Sequence, residues 1–329
     1  MADGHAMHAT IRVEAPARLH FGMLDIRGSL GRHFGGIGAG IFDPSLLIEV
    51  ERADAVEAQG AESDRAAEFA TRYLASQGIS SGARILIRHA IPGHAGLGSG
   101  TQLALAVARG IAELYERDTS TPALVAAVGR ARRSAIGSWL FDGGGFIVEG
   151  GRRESVDRMA PMLARIAIPD SWRCVLVVPR SAEGMSGERE VQAFRELPSP
   201  PLREVERVSH LLVMSLLPAL VDGDLRAFGG ALTEIQQING GWFAAAQGGA
   251  FATGPSTELI GKMSEWGAAG VGQSSWGPAV YGIVDGGDAA SALAFKTRTL
   301  LNGSGAVYVN QFSGTGARVS VCDLQSVRA

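Results

Sequence analysis

The stretch "ARILIRHAIPGHAGLGSGTQLALA", residues 83–106, limits what this chain can fold into more than any other. An apolar alternating run feeds Pro92 and a turn with Gly93, Gly96, Gly98 and Gly100, and an Ala/Leu-rich helix follows. Strand, glycine turn and helix start in that order aim backbone N–H groups and a positive dipole end at whatever lies in front of the turn, which is an anion-binding arrangement. Gly96, Leu97, Gly98, Ser99, Gly100 and Thr101 are therefore candidate phosphate-binding residues. No lysine lies in the loop, which separates it from the G-x-x-x-x-G-K-[ST] pattern. The alternative is a glycine turn capped by Ser99 or Thr101.

The rest of the chain reads as an α+β mixture without a fixed repeat. Residues 10–21, 45–52, 83–91, 172–179, 278–284, 305–310 and 317–323 have strand patterning. Residues 63–77, 99–116, about 202–220, 223–238, 256–267 and 287–300 have helical patterning, and another helix begins near Pro122. The glycine-dense stretch of residues 22–42 reads as turns and close backbone approaches. The softest boundary is at about residues 160–171, giving parts 1–165 and 166–329.

Composition removes several function classes. A formal net charge of −3 gives no footprint for nucleic acid. No run reaches the length of a membrane span, and the first ten residues lack a signal-peptide pattern, so a cytoplasmic protein is expected. Lysine occurs only at Lys262 and Lys296, so arginine must supply most anion binding. Cys174 and Cys322 lie in apolar runs without metal-ligand spacing and read as free core thiols.

Three segments in order, "APARLHFG" (residues 15–22), "PGHAGLGSG" (92–100) and "GVGQSSWGPAVYG" (270–282), resemble the signature motifs of the GHMP kinase superfamily. The resemblance implies an N-terminal part related to ribosomal protein S5 domain 2 and a C-terminal ferredoxin-like part. Several kinases of that superfamily carry S-G-x-D before a glycine pair. Here the stretch reads "SAIGSWLFDGGG", with Gly137 where the Asp would be. "ARLHFGMLDIRGSLGRHFGGIGAGI", "RSAIGSWLFDGGGFIVEGG", "VVPRSAEGMSGEREVQAF" and "QINGGWFAAAQGGAF" are similar to one branch, the β-ribofuranosylaminobenzene 5'-phosphate synthases.

That branch implies a Mg2+-dependent, cytoplasmic homodimer joining phosphoribosyl diphosphate to a substituted benzoate, 4-aminobenzoate or 4-hydroxybenzoate, with loss of CO2 and diphosphate in tetrahydromethanopterin biosynthesis. No alcohol attacks phosphorus in such a reaction, so the Asp is not needed. On this resemblance, Ser99 is the hydroxyl expected to meet Mg2+, and Arg18, His20, Asp25, Arg32, Gly35 and Gly36 are candidate substrate-binding residues. His33 is a candidate proton handler, because an imidazole exchanges protons near neutral pH. Asp142 and Glu188 are candidates for the metal or for offsetting charge at ribose C1, or else helix caps. Trp242 and Phe243 form a candidate wall for the ring or belong to the core, and Gln273, Ser274 and Ser275 are candidate donors to phosphate or ribose. An ATP-dependent small-molecule kinase and a catalytically silent ligand-binding regulator are the alternatives.

Overall fold

A computed structural model describes residues 9–153, 155–156, 158–180 and 187–323. The first sheet has seven strands. Strand β11 (Arg318–Asp323), β1 (Ala9–Asp25), β2 (Phe34–Ala53), β4 (Gly82–His89) and β3 (Glu57–Gln59) run across it in that order, while β5 (Phe146–Glu149) pairs with β2 and with β6 (Met162–Ile166). All pairings are antiparallel except β3 with β4.

Residues 22–42 are not mainly turns. After a turn at the tip, β2 runs as one strand from Phe34 through Gly35, Gly36, Gly38 and Gly40. The glycines permit close packing rather than chain reversal: a Cβ on Gly38 would sit 2.4 Å from the Leu19 carbonyl oxygen and 2.6 Å from Ile136.

Helix α2 (Ser99–Leu114) is buried along most of its length against β1 and β2, with α1 (Ser63–Ser76) and α3 (Thr121–Val128) over it. Its apolar side chains, with Leu105 fully buried, anchor the glycine loop to the core. Each such leucine contributes about 1.5–3 kcal/mol of burial. A short helix, α4 (Ile136–Asp142), follows.

The second sheet runs β10 (Gly305–Gln311), β7 (Trp172–Pro179), β9 (Val280–Asp285), β8 (Gly270–Gln273), all antiparallel. Fourth, first, third, second is the ferredoxin-like order. Its helices are α5 (Gly187–Glu196), α6 (Leu202–Leu211), which passes through a wide turn at Leu212–Leu216 into α7 (Leu217–Asp222), then α8 (Leu225–Gln247), α9 (Ser256–Glu265) and α10 (Gly287–Leu301). The chain passes from the first sheet to the second between Ile166 and Trp172, but β11 returns to pair with β1, so the last strand does not stay with the second half.

Two local expectations are corrected. Helix α8 continues through Asn239–Gly240–Gly241 to Gln247, because Gly240 lets the Ala250 backbone close in, where a Cβ would lie 2.4 Å from its oxygen. Cys322 is exposed, since β11 is an edge strand, whereas Cys174 is buried and its thiol is pushed up by burial.

Candidate active site

The three glycine-bearing segments meet at one place. Arg18 donates from its backbone N to the Leu97 carbonyl at 2.9 Å and from Nη1 to the Gly96 carbonyl at 3.0 Å. Ser274 Oγ donates to that same Gly96 carbonyl at 2.7 Å and accepts from the His20 N–H at 3.0 Å. Ala279 N–H donates to the Ala95 carbonyl at 3.3 Å. Glycine is required at 96: φ is +77°, and a Cβ would lie 2.1 Å from the Ser274 carbonyl oxygen. Strand β1 is thus held between the phosphate-type loop and the segment after β8.

Helix α8 fixes the far end of β1. Asn239 accepts from Met23 N–H at 2.5 Å and donates to Met23 O at 3.1 Å. Gln236 donates to Phe21 O and accepts from Gln273 N–H at 2.9 Å.

In front of the loop lies a cavity of about 820 Å3, within the range of small-molecule sites. Arg18, Arg130, Arg132, Arg133, Arg152 and Arg195 line it, together with His20, His33, Thr101 and Ser275; Glu190 is the one carboxylate among its described lining residues. Arginine forks in such number match phosphate or carboxylate oxygens. Arg130 donates to the Gly100 carbonyl at 2.9 Å, and a Cβ on Gly100 would lie 2.2 Å from Arg65 Nη2 and 3.0 Å from Arg130 Nη2. The bare glycine lets two guanidinium groups close over the start of α2, and no described side chain caps that helix. Burial, with Arg65 and Arg72 nearby, holds Arg130 down to about 10, and burial alone lowers Arg18 to about 10 against the pull of Glu190 and Glu149.

Two buried titratable groups lie behind this wall. His20 is lowered to about 3 by burial and by Arg18, so it is neutral at ordinary pH, and its Nε2 has no partner among the described residues. Glu149 is pushed up to about 7 by burial; it accepts from the Ala135 N–H at 2.5 Å and interacts with Ser134.

A smaller space of about 40 Å3 shares His20, Met23, Phe194 and Ser275 with the main cavity and adds Phe243, Phe251 and Trp276. Trp276 stands edge-on to Phe243 at 4.9 Å and to Phe194 at 5.4 Å. The three rings form an aromatic corner where the two spaces meet.

Comparison with known proteins decides the family. Residues 64–142 match the model of GHMP kinases N terminal domain, and residues 216–298 that of GHMP kinases C terminal. The chain is 36% identical to the beta-ribofuranosylphenol 5'-phosphate synthase of Methanothermobacter thermautotrophicus, over 86% of this chain and 92% of that protein. It is also 36% identical to the protein of the same name from Archaeoglobus fulgidus, over 84% and 88%. The chain belongs to the beta-ribofuranosylphenol 5'-phosphate synthase family. It is an enzyme of the GHMP superfamily, and its fold is shared with homoserine kinase from Cytophaga hutchinsonii (TM-score 0.70, 18% identity, 94% of this chain and 97% of that one). Mevalonate diphosphate decarboxylase from Staphylococcus aureus shares it too (TM-score 0.67, 14% identity, 95% and 98%).

Of the candidate residues, Arg18, His20, His33, Thr101 and Ser275 line the main cavity, and Phe243 and Gln273 line the smaller space. Ser274, Gly96, Leu97 and Gly98 form the seam behind it. Other candidates do not reach it. Asp142 is paired with Arg165 at 2.8 Å and accepts from Thr121 at 3.1 Å, outside the cavity lining. Trp242 is buried and donates to Glu204 at 2.9 Å, because one helical step turns it about 100° from Phe243. Asp25 accepts from the N–H groups of Arg27 and Gly28, and Arg32 donates to the Gly151 carbonyl, so both shape the turn that carries His33. Gly35 and Gly36 make room for Glu149 and for the His20 ring. The side chain of Glu188 lies outside the described residues.

Ser99 lines a cleft of about 10 Å3 with Glu62 and Arg65, which are paired at 2.6 Å, instead of the main cavity. Among the described residues no group of three His, Cys, Asp or Glu side chains could hold a metal. Glu62, the carboxylate beside Ser99 in that cleft, is engaged by Arg65.

Arg130, Arg132, Arg133 and Arg152, with Glu190, Phe194 and Trp276, line the two spaces without being singled out by the motifs. The run "GRARRS" at 129–134, directly before "SAIG", was the available signal for three of them.

Proposed function

We propose that this enzyme joins 5-phosphoribosyl 1-diphosphate to 4-hydroxybenzoate, forming a C-riboside with release of CO2 and diphosphate. The observation that carries this is a cavity lined, among the described residues, by six arginines against one glutamate and ending in an aromatic corner. A sugar bearing a phosphate and a diphosphate needs the first part, and a benzoate ring the second. The phenol in the relatives' name matches the hydroxyl ring rather than the amine.

In this scheme the start of α2, Arg18 and Arg130 take the leaving diphosphate, where preorganised donors are most effective. The other arginines take the 5'-phosphate and the carboxylate. The ring lies against Phe194, Phe243 and Trp276, which also keep water from C1. His20, neutral and with Nε2 unpartnered, offers an acceptor between the two spaces. The hydroxyl pushes electron density to the ring carbon bearing the carboxylate, and that carbon attacks C1. A cytoplasmic homodimer and a place in tetrahydromethanopterin biosynthesis belong to the same proposal.

Position 137 supports this over a kinase. A Cβ on Gly137 would point at Thr101, 3.4 Å from its Cγ2, so a carboxylate there would face the start of α2, and none is present. Calorimetry with phosphoribosyl diphosphate, inorganic diphosphate and ATP tests the proposal: the first two should bind tightly and ATP weakly. ATP binding tighter than both would return the chain to the kinases.

A further inference from the structure

Six guanidinium groups suit a departing diphosphate and oppose what it leaves behind. When the C1–O bond breaks, its electron pair goes to the diphosphate oxygen, and C1 with the ring oxygen of the ribose becomes positive. A wall of arginine alone would raise the energy of that cation. Glu190 is the one carboxylate among the described residues lining the cavity. Its Oε2 accepts from Arg133 Nη2 at 2.5 Å and its Oε1 from Trp276 Nε1 at 3.1 Å. Arg133 also lies over the Phe194 ring at 5.2 Å. The carboxylate is therefore fixed on the seam between the arginine wall and the aromatic corner. That seam is where C1 must be, with diphosphate on one side and the aromatic ring on the other.

We infer that Glu190 is the catalytic carboxylate that faces ribose C1 and stabilises the cation formed there; this rests on the function proposed above. The step balances without a further reactant. The C1–O bond to diphosphate breaks, the ring carbon bearing the carboxylate bonds to C1, and the C–CO2 bond then breaks and returns its electron pair to the ring. No net proton or electron is transferred. Trp276 and Arg133 hold one carboxylate oxygen each, which orients the group before the substrate arrives.

The test is steady-state kinetics on E190Q, E190D and R133Q, with thermal melts to verify folding. E190Q should lower kcat about 100-fold, the scale of one lost electrostatic partner in a transition state, while KM for phosphoribosyl diphosphate stays within about threefold or falls. E190D should recover part of kcat. R133Q removes one of the two contacts that orient the carboxylate while Trp276 keeps the other, so it should lower kcat by clearly less than E190Q and raise KM as well, whereas a purely structural Glu190 would make R133Q reproduce E190Q. A kcat for E190Q within about threefold of wild type, a loss confined to KM, or matching losses in R133Q and E190Q would overturn the assignment. If E190Q does not fold, E190D alone decides: its kcat must drop about tenfold or more with KM held. Wild-type protein that releases neither CO2 nor diphosphate would contradict the proposed function itself; an active wild type with an unaffected E190Q would contradict only the role of Glu190.

Discussion

Ser274 Oγ donates to the carbonyl of Gly96 at 2.7 Å, across 178 positions of sequence. The same oxygen accepts from the His20 N–H, so one hydroxyl ties the glycine loop, the first strand and the segment after β8. Ser274→Ala leaves the His20 N–H buried without that acceptor, and Gly96 keeps only Arg18. A loss of about 1–3 kcal/mol in denaturant unfolding is expected, together with weaker diphosphate binding. Unchanged stability would show that water or a neighbouring group replaces the hydroxyl.

Glu149 and His20 give stability opposite dependences on pH. Burial raises Glu149 from 4.5 to about 7, so the folded state holds that proton more tightly than the unfolded chain. Its contribution is full below about 4.5 and is lost as pH rises through about 7. His20 falls from 6.5 to about 3, so its contribution is full above about 6.5 and is lost as pH falls through about 3. Glu149→Gln should therefore gain on wild type by about 2–3 kcal/mol between pH 5 and pH 8. Parallel stability curves for the two proteins over that range would contradict this assignment of Glu149.

Arg130 is close to Arg65 and Arg72; among the described residues Arg65 is paired with Glu62, while Arg130 and Arg72 form no ion pair with a carboxylate. An anion at the start of α2 relieves that crowding. Arg130→Gln should weaken diphosphate binding by about 10- to 100-fold, measured by calorimetry, and flatten its salt dependence. Equal affinity would place the diphosphate elsewhere in the cavity.

Gly137 has room for a side chain: an added Cβ meets Thr101 at 3.4 Å and Gln102 at 3.7 Å, both ordinary contacts. Gly137→Ala should keep diphosphate affinity, whereas Gly137→Asp, which directs a charge at the anion site, should lose about tenfold or more. ADP release from ATP by the Asp variant would show that this cavity needs only that carboxylate to act as a kinase.

The parts of the fold that follow local periodicity were legible in the chain: α2, β7 and β10 lie where apolar spacing puts them. β2 was not, because Gly35, Gly36, Gly38 and Gly40 carry no side-chain pattern, and only the approach of Leu19, Ile136 and Glu149 makes an extended strand there intelligible. α8 ran past its glycine pair for the same reason. Within the site, Arg18, His20 and Thr101 could be read because they lie in the segments "APARLHFG" and "GLGSGT" that carry the resemblance. Arg152, Arg195 and Glu190 could not, since each comes from a polar stretch that becomes a cavity wall only when the β1–β2 turn and α5 are folded over it.

The most direct test follows both products at once. Purified protein is incubated with phosphoribosyl diphosphate and carboxyl-labelled 4-hydroxybenzoate or 4-aminobenzoate, and separately with ATP and a small alcohol. Equal release of labelled CO2 and diphosphate, with no ADP from the second mixture, is the predicted result. ADP formation without CO2 release would contradict it and make the arginine-lined cavity a phosphotransfer site.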